Sequence, residues 1–227
     1  MRFEPAYAPH YRPSTSVTRV MGDVLIGLAP AALVWTLYFG PGLIVNALIA
    51  TAVAVGCEAA MVRLRGRPAG AELADLSVVV TAVLFAFALP PLTPWWVTAT
   101  GMLFGVVFAK HLYGGLGFNP FNPAMVAYVV VLVSFPSDLT NWLPPAGFEL
   151  AEARPGLLAT VTYALTGSLP AGLSWDMIAG ATPLDDLKTQ VALMRTVSEV
   201  RAGPLYGDMG APGWEWVNNF GILGGAW

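Results

Sequence analysis

Three stretches of this chain carry no formally charged side chain at neutral pH: Val24 to Cys57, Leu76 to Ala109, and His111 to Ser137. The first two are 34 residues each, about 51 Å as continuous helix, too long for one passage through a hydrocarbon core of about 30 Å but divisible into two. Each is punctuated in the middle, by Phe-Gly-Pro-Gly at Phe39 to Gly42 and by Pro-Pro-Leu-Thr-Pro-Trp-Trp at Pro90 to Trp96. The pattern predicts four helices in two hairpins, with Trp95 and Trp96 at a membrane interface. Asp23 and Asp75 stand where the apolar helices should start, and cap and dipole roles suffice for both.

The third run has a different rhythm. After Tyr-Gly-Gly-Leu-Gly-Phe-Asn-Pro-Phe-Asn-Pro (Tyr113 to Pro123), only Ala124 to Pro136 reads as clean helix. That is about 20 Å, short of a full crossing. Asn119-Pro120 and Asn122-Pro123 supply side-chain caps and remove backbone donors, so irregular backbone leading into a half-helix is expected. In lipid such backbone is tolerated where protein buries it or where it lines a cavity; an interfacial loop feeding an ordinary span is the plain alternative. Residues 137–213 are richer in proline and glycine, with eight acidic and four basic side chains, and read as an extramembrane segment. At Trp214 a new apolar stretch opens, the expected start of a sixth transmembrane helix over residues 214–227.

Composition fixes the class. Hydrophobic residues make up 56% of the 227 and charged residues only 11%, against roughly 25% charged in a soluble domain. The expected fold is an all-α membrane protein, a multi-pass helical bundle with five membrane-embedded segments over residues 23–136. Its orientation follows from the positive charges. Arg2, Arg12 and Arg19 precede the first span, Arg63, Arg65 and Arg67 fill the loop after the second, and Lys110 follows the fourth. The turns at residues 39–42 and 90–96 carry none. The positive-inside rule then makes residues 1–22 and the arginine loop cytoplasmic, and residues 137–213 an outer-side loop segment. No cleavable signal is expected, because the first apolar run begins after some twenty mixed residues and runs far past a signal's apolar length.

Few residues offer chemistry. Cys57 lies inside the second span and reads as packing. Glu58, beside it, is an ionisable group at membrane depth and therefore a candidate for an ion or proton role; Arg63 and Arg65 nearby would equally suit a carboxylate near the cytoplasmic interface. His10 and His111 lack metal-ligand company, so no metal site is expected. There is no Walker loop, dinucleotide fingerprint, nucleophile with an adjacent base, or basic patch for nucleic acid. The informative stretch is Asp176 to Lys188, Asp-Met-Ile-Ala-Gly-Ala-Thr-Pro-Leu-Asp-Asp-Leu-Lys. Thr182 is a good helix N-cap, Pro183 suits the first helical position, and Asp185 stands where a capping carboxylate belongs. A cap does not require Ala-Gly-Ala before it. Small residues there would admit a bulky anion at a helix N-terminus, where free donors and the helix dipole favour phosphate. Asp185 and Asp186 would oppose such an anion, so their carboxylates are expected to turn away from it or toward Lys188.

This stretch resembles the signal at which a flavin transferase attaches FMN to threonine through a phosphoester: Asp176, Gly180, Ala181 and Thr182 match it, with Ala179 where a hydroxyl residue is usual. Independently, Gly114 to Pro136 is similar to the Asn-Pro-x-Asn-Pro-Ala-Met segment of the RnfD/NqrB family, whose members serve the Rnf electron-transport complex and the sodium-pumping NADH:quinone reductase. The short N-terminus and the form of the threonine site favour the Rnf branch. The resemblance implies the first half of an inverted-repeat fold plus the linking segment. It also implies a non-autonomous inner-membrane component of an ion-translocating oxidoreductase, in which electron transfer between ferredoxin and NAD is coupled to ion transport. FMN would be carried covalently on Thr182 on the periplasmic side, with an additional non-covalent flavin possible. The implied partners are the other membrane and peripheral subunits of the complex, a flavin transferase and the bilayer. A channel or small-solute transporter component without flavin is the competing reading, since broken helices serve transporters too; a passive anchor needs neither motif.

Overall fold

The computed structural model describes residues 16–146, 153–203, 205–206, 211 and 213–226. Arg2, His10 and Arg12 of the expected cytoplasmic N-terminus, and residues 147–152 of the expected outer segment, lie outside the described residues. Among the described residues every regular element is helical.

The first apolar run forms α1 (Val17–Phe39) and α2 (Gly42–Leu64), both long and apolar enough to cross a membrane. The break is set by Gly40, whose φ of +87° suits glycine, and by Pro41, which supplies no backbone donor. Gly42 lies so close to the Pro91 backbone that a Cβ would collide with it, so the two interhelical turns are packed against each other. The start of α1 differs from expectation: Ser16 is the cap, accepting from the Arg19 amide at 3.2 Å, and Asp23 lies inside the helix. A serine about two turns earlier captured the free amides first.

After the short α3 (Ala69–Leu73), the second run forms α4 (Ser77–Ala88) and α5 (Trp95–Leu103), the latter continuing as a π-helical segment, Phe104–His111. Asp75 does act at the start of α4, accepting from the Ser77 amide at 2.7 Å and the Ser77 hydroxyl at 2.6 Å. The half-helix, α6, is Pro123–Ser134. Asn122 caps it, its side chain accepting from the Ala124 amide at 2.9 Å, whereas Asn119 instead donates to the Phe121 carbonyl at 2.8 Å and shapes the preceding loop. Of the two expected caps only Asn122 is one, because it alone adjoins a helix start. Gly114, Gly115 and Gly117 all have positive φ in that loop. The helix ends earlier than expected because Pro136 opens a new turn, α7 (Pro136–Thr140).

The stretch read as an outer loop contains further helices: α8 (Leu157–Thr166), α9 (Trp175–Ile178), α10 (Pro183–Ala192) and α11 (Val197–Arg201). The last element, α12 (Trp214–Gly225), packs along α1. Gly27 and Gly224 meet backbone to backbone, with no room for a Cβ at Gly224, the close approach that small residues allow between apolar helices. At the other end of that pair Trp35, Phe39, Trp142 and Trp214 form an aromatic cluster. The main core joins α2, α4, α5 and α6 through Ala50, Ala54, Phe85, Met102 and Val131; Cys57 packs against its edge.

Candidate functional site

Thr182 stands at the N-terminus of the ten-residue α10 in extended backbone geometry, its hydroxyl accepting from the Asp185 amide at 3.3 Å. Pro183 occupies the first helical position. The rest of the motif divides into packing and access. Asp176 is exposed at the start of α9, and Ile178 is fully buried. Gly180 donates its amide to the Trp142 carbonyl at 3.0 Å, and a Cβ there would sit 3.2–3.3 Å from the Pro144 ring. The glycine is therefore used to bring the chain against Pro144, not to leave an open slot. Ala181 is exposed, and Thr182 lines a small crevice of about 10 Å³ with Trp142, Pro144, Pro145, Leu205 and Trp214.

Asp186 is engaged sideways, by residues other than Lys188. Its carboxylate accepts from the Tyr206 hydroxyl at 3.2 Å and the Gln190 amide at 3.2 Å. The single Tyr206 hydroxyl hydrogen is shared with the Pro183 carbonyl, the nearer acceptor at 2.6 Å, which fixes the first turn of α10. Partial burial, then the neighbouring carboxylate, push the Tyr206 phenol above its ordinary pKa. With one carboxylate drawn sideways and the Thr182 oxygen already accepting from the Asp185 amide at the start of α10, the residues fit a phosphate ester. The oxygen is reachable, the helix end favours negative charge, and an apolar aromatic wall lies alongside.

A second polar cluster is buried in the bundle. Glu58 on α2 is 1% exposed, Lys110 3% and His111 0%. Lys110 donates to Glu58 Oε1 at 2.7 Å and to the Ser77 hydroxyl at 2.9 Å, while His111 Nε2 stands 2.8 Å from Glu58 Oε2. Ser77 donates its own hydroxyl hydrogen to Asp75, so a polar chain runs Asp75–Ser77–Lys110–Glu58–His111. The wider turn of the π-helical segment lets consecutive side chains, Lys110 and His111, both face α2; such segments are common at functional sites. Arg65 donates to the His111 carbonyl and ties the arginine loop to this end. A cleft of about 300 Å³ reaches Ser77 and Lys110 past Asn119 and Asn122. Glu58 is thus enclosed and paired with Lys110 and His111 rather than with Arg63 or Arg65. Sequence reading missed the partnership because Lys110 and His111 follow the second apolar run and look like its cytoplasmic end; the one signal was that they are adjacent to each other and share a helix with no other charge.

The two sites occupy opposite ends of α2. Glu58 lies sixteen residues beyond Gly42, about 24 Å along a helix axis, whereas the Thr182 crevice shares Trp142 and Trp214 with the aromatic cluster at the Phe39 end of α1.

The model of the NQR2, RnfD, RnfE family matches residues 5–227. The chain belongs to that family. Among similar proteins, the D subunit of the ion-translocating oxidoreductase complex of Escherichia fergusonii is 40% identical over 235 residues, covering 100% of this chain and 66% of the relative. Its counterpart from Vibrio cholerae serotype O1 is 44% identical over 232 residues, with 99% and 66% covered, and that of Citrobacter koseri 40% over 235, with 100% and 67% covered. This NQR2, RnfD, RnfE family chain therefore spans about two thirds of the length of the curated relatives it matches.

Proposed function

We propose that this chain is the flavin-carrying part of a membrane subunit in an ion-translocating oxidoreductase of the Rnf type, with FMN esterified to Thr182. Electron transfer between ferredoxin and NAD would be coupled in that complex to ion movement. The observation that carries the reading is the Thr182 hydroxyl: reachable, at the start of α10, within Asp176–Thr182 of the attachment motif, and beside an aromatic crevice. FMN, when bound, supplies reversible one- and two-electron transfer. The chain's own part is to anchor and shield. Thr182 supplies the ester oxygen, the first turn of α10 stabilises the phosphate, Tyr206 holds that turn and draws Asp186 aside, and Trp142 and Trp214 offer an apolar wall.

In this reading α1, α2, the α4–α5 pair and α6 are embedded in the cytoplasmic membrane. The arginine loop lies inside and the Thr182 site on the periplasmic side, where a flavin transferase and the remaining subunits would meet it. At the opposite end, Glu58 is the chain's candidate for handling the ion, since an enclosed charge at membrane depth is retained for function more often than for stability. The test is covalent flavin. The denatured protein, run on a gel after expression with its transferase, should fluoresce under ultraviolet light. A dark band together with flavin-independent solute flux would favour the channel reading.

A further inference from the structure

We propose that α8 lies in the outer lipid interface, with Leu158 and Leu165 turned into the acyl region, so that part of the segment read as extramembrane is itself a membrane contact. The helix buries Thr160, Tyr163 and Ala164 against the bundle, and α2 is one of the helices it packs on. Its opposite face should be polar if it met water. Instead that face carries Leu157, Leu158 and Leu165 at 61%, 81% and 60% exposure, and residues 157–173 contain no charged side chain. Of the threonines, Thr160 is on the buried face, and the exposed Thr166 turns its hydroxyl back onto the Thr162 carbonyl at 2.8 Å.

Two contacts fix the level of α8 on the bundle. Its C-terminal Gly167 abuts the Trp96 ring, leaving no room for a Cβ. Arg154, just ahead of it, donates to the Tyr38 carbonyl at the end of α1. Trp95 and Trp96, 46% and 37% exposed and edge to face at 6.2 Å, continue the patch at the start of α5. Tryptophans beside an uncharged leucine face, level with the turn between the two helices long enough to span, are the composition of a lipid interface. The same surface continues onto α2, which exposes Ile44 and Leu48 in its N-terminal half. Lipid is therefore the occupant that matches both the chemistry and the neighbours.

The proposal rests on the membrane reading of α1 and α2 and is independent of the flavin. It is tested by placing a nitroxide on Leu158→Cys in a Cys57→Ser background. The protein is kept in its assembled complex and reconstituted into phosphatidylcholine liposomes, with Leu48→Cys and Met194→Cys as references and the complex without an introduced cysteine as background. Power saturation should show the label at 158 several-fold more accessible to oxygen than to a water-soluble nickel chelate, as at 48 and unlike 194. Equal or greater access to nickel would mean water, access to neither would mean a protein partner, and either result overturns the proposal. If 48 reports lipid and 158 does not, the α8 assignment alone falls; if 48 also fails, the membrane reading falls with it.

Discussion

At the scale of single residues, the structure separates side chains that look alike in the sequence. Asn119 and Asn122 each precede a proline, but only Asn122 caps α6. Asn122→Leu should therefore lower stability by about 0.5–2 kcal/mol, and Asn119→Leu by clearly less, measured as shifts in the detergent-solubilised unfolding midpoint. Equal effects would mean that the loop, not the cap, sets the helix start. Thr182 was legible as a cap from Thr-Pro and the acidic first turn alone. The role of Gly180 was not, because its partner, Pro144, is 36 residues earlier in the chain, and a contact across that separation leaves no local pattern.

Among elements, the breaks were readable and the pairings were not. Phe-Gly-Pro-Gly and Pro-Pro-Leu-Thr-Pro interrupt apolar runs, and interruption is a local property that proline and glycine enforce wherever they stand. The start of α1 was displaced by Ser16, which caps the helix about two turns ahead of Asp23. Helices α8 to α11 were folded into one loop by their short lengths and the prolines around them. The Glu58–Lys110 pair joins α2 to the π-helical segment 52 residues on. Glu58→Gln leaves Lys110 buried without a counter-charge and should cost about 3–5 kcal/mol or prevent assembly, as breaking one side of a buried ion pair does. Glu58→Gln combined with Lys110→Gln should recover a good part of that loss in the unfolding midpoint. If the double variant is no better than the single, the pair is not what the cluster's stability depends on. Ion transport by a double variant that assembles should still be impaired if the carboxylate handles the ion, and normal transport would remove Glu58 from that role.

For the whole molecule, two sites stand at opposite ends of a bundle: a buried charged cluster beside the arginine loop, and a threonine crevice beside the α1–α2 turn. That polarity predicts sidedness. Cysteines at Ser168 and at Arg67, both accessible at the surface, should react with an impermeant reagent from opposite faces of sealed vesicles; Arg67 is preferable to Gly66, whose φ of +68° disfavours a side chain. Reaction from one face would overturn the topology and the flavin's side together. The claim on which the rest turns is the ester at Thr182, and the intact mass of the isolated protein tests it most directly. The natural chain and Thr182→Ser should carry an increment equal to FMN less water, because both keep the side-chain oxygen. Thr182→Val, which keeps the shape and loses the oxygen, should show the bare polypeptide mass. The same increment persisting in Thr182→Val would contradict the assignment and leave Thr182 as the cap of α10.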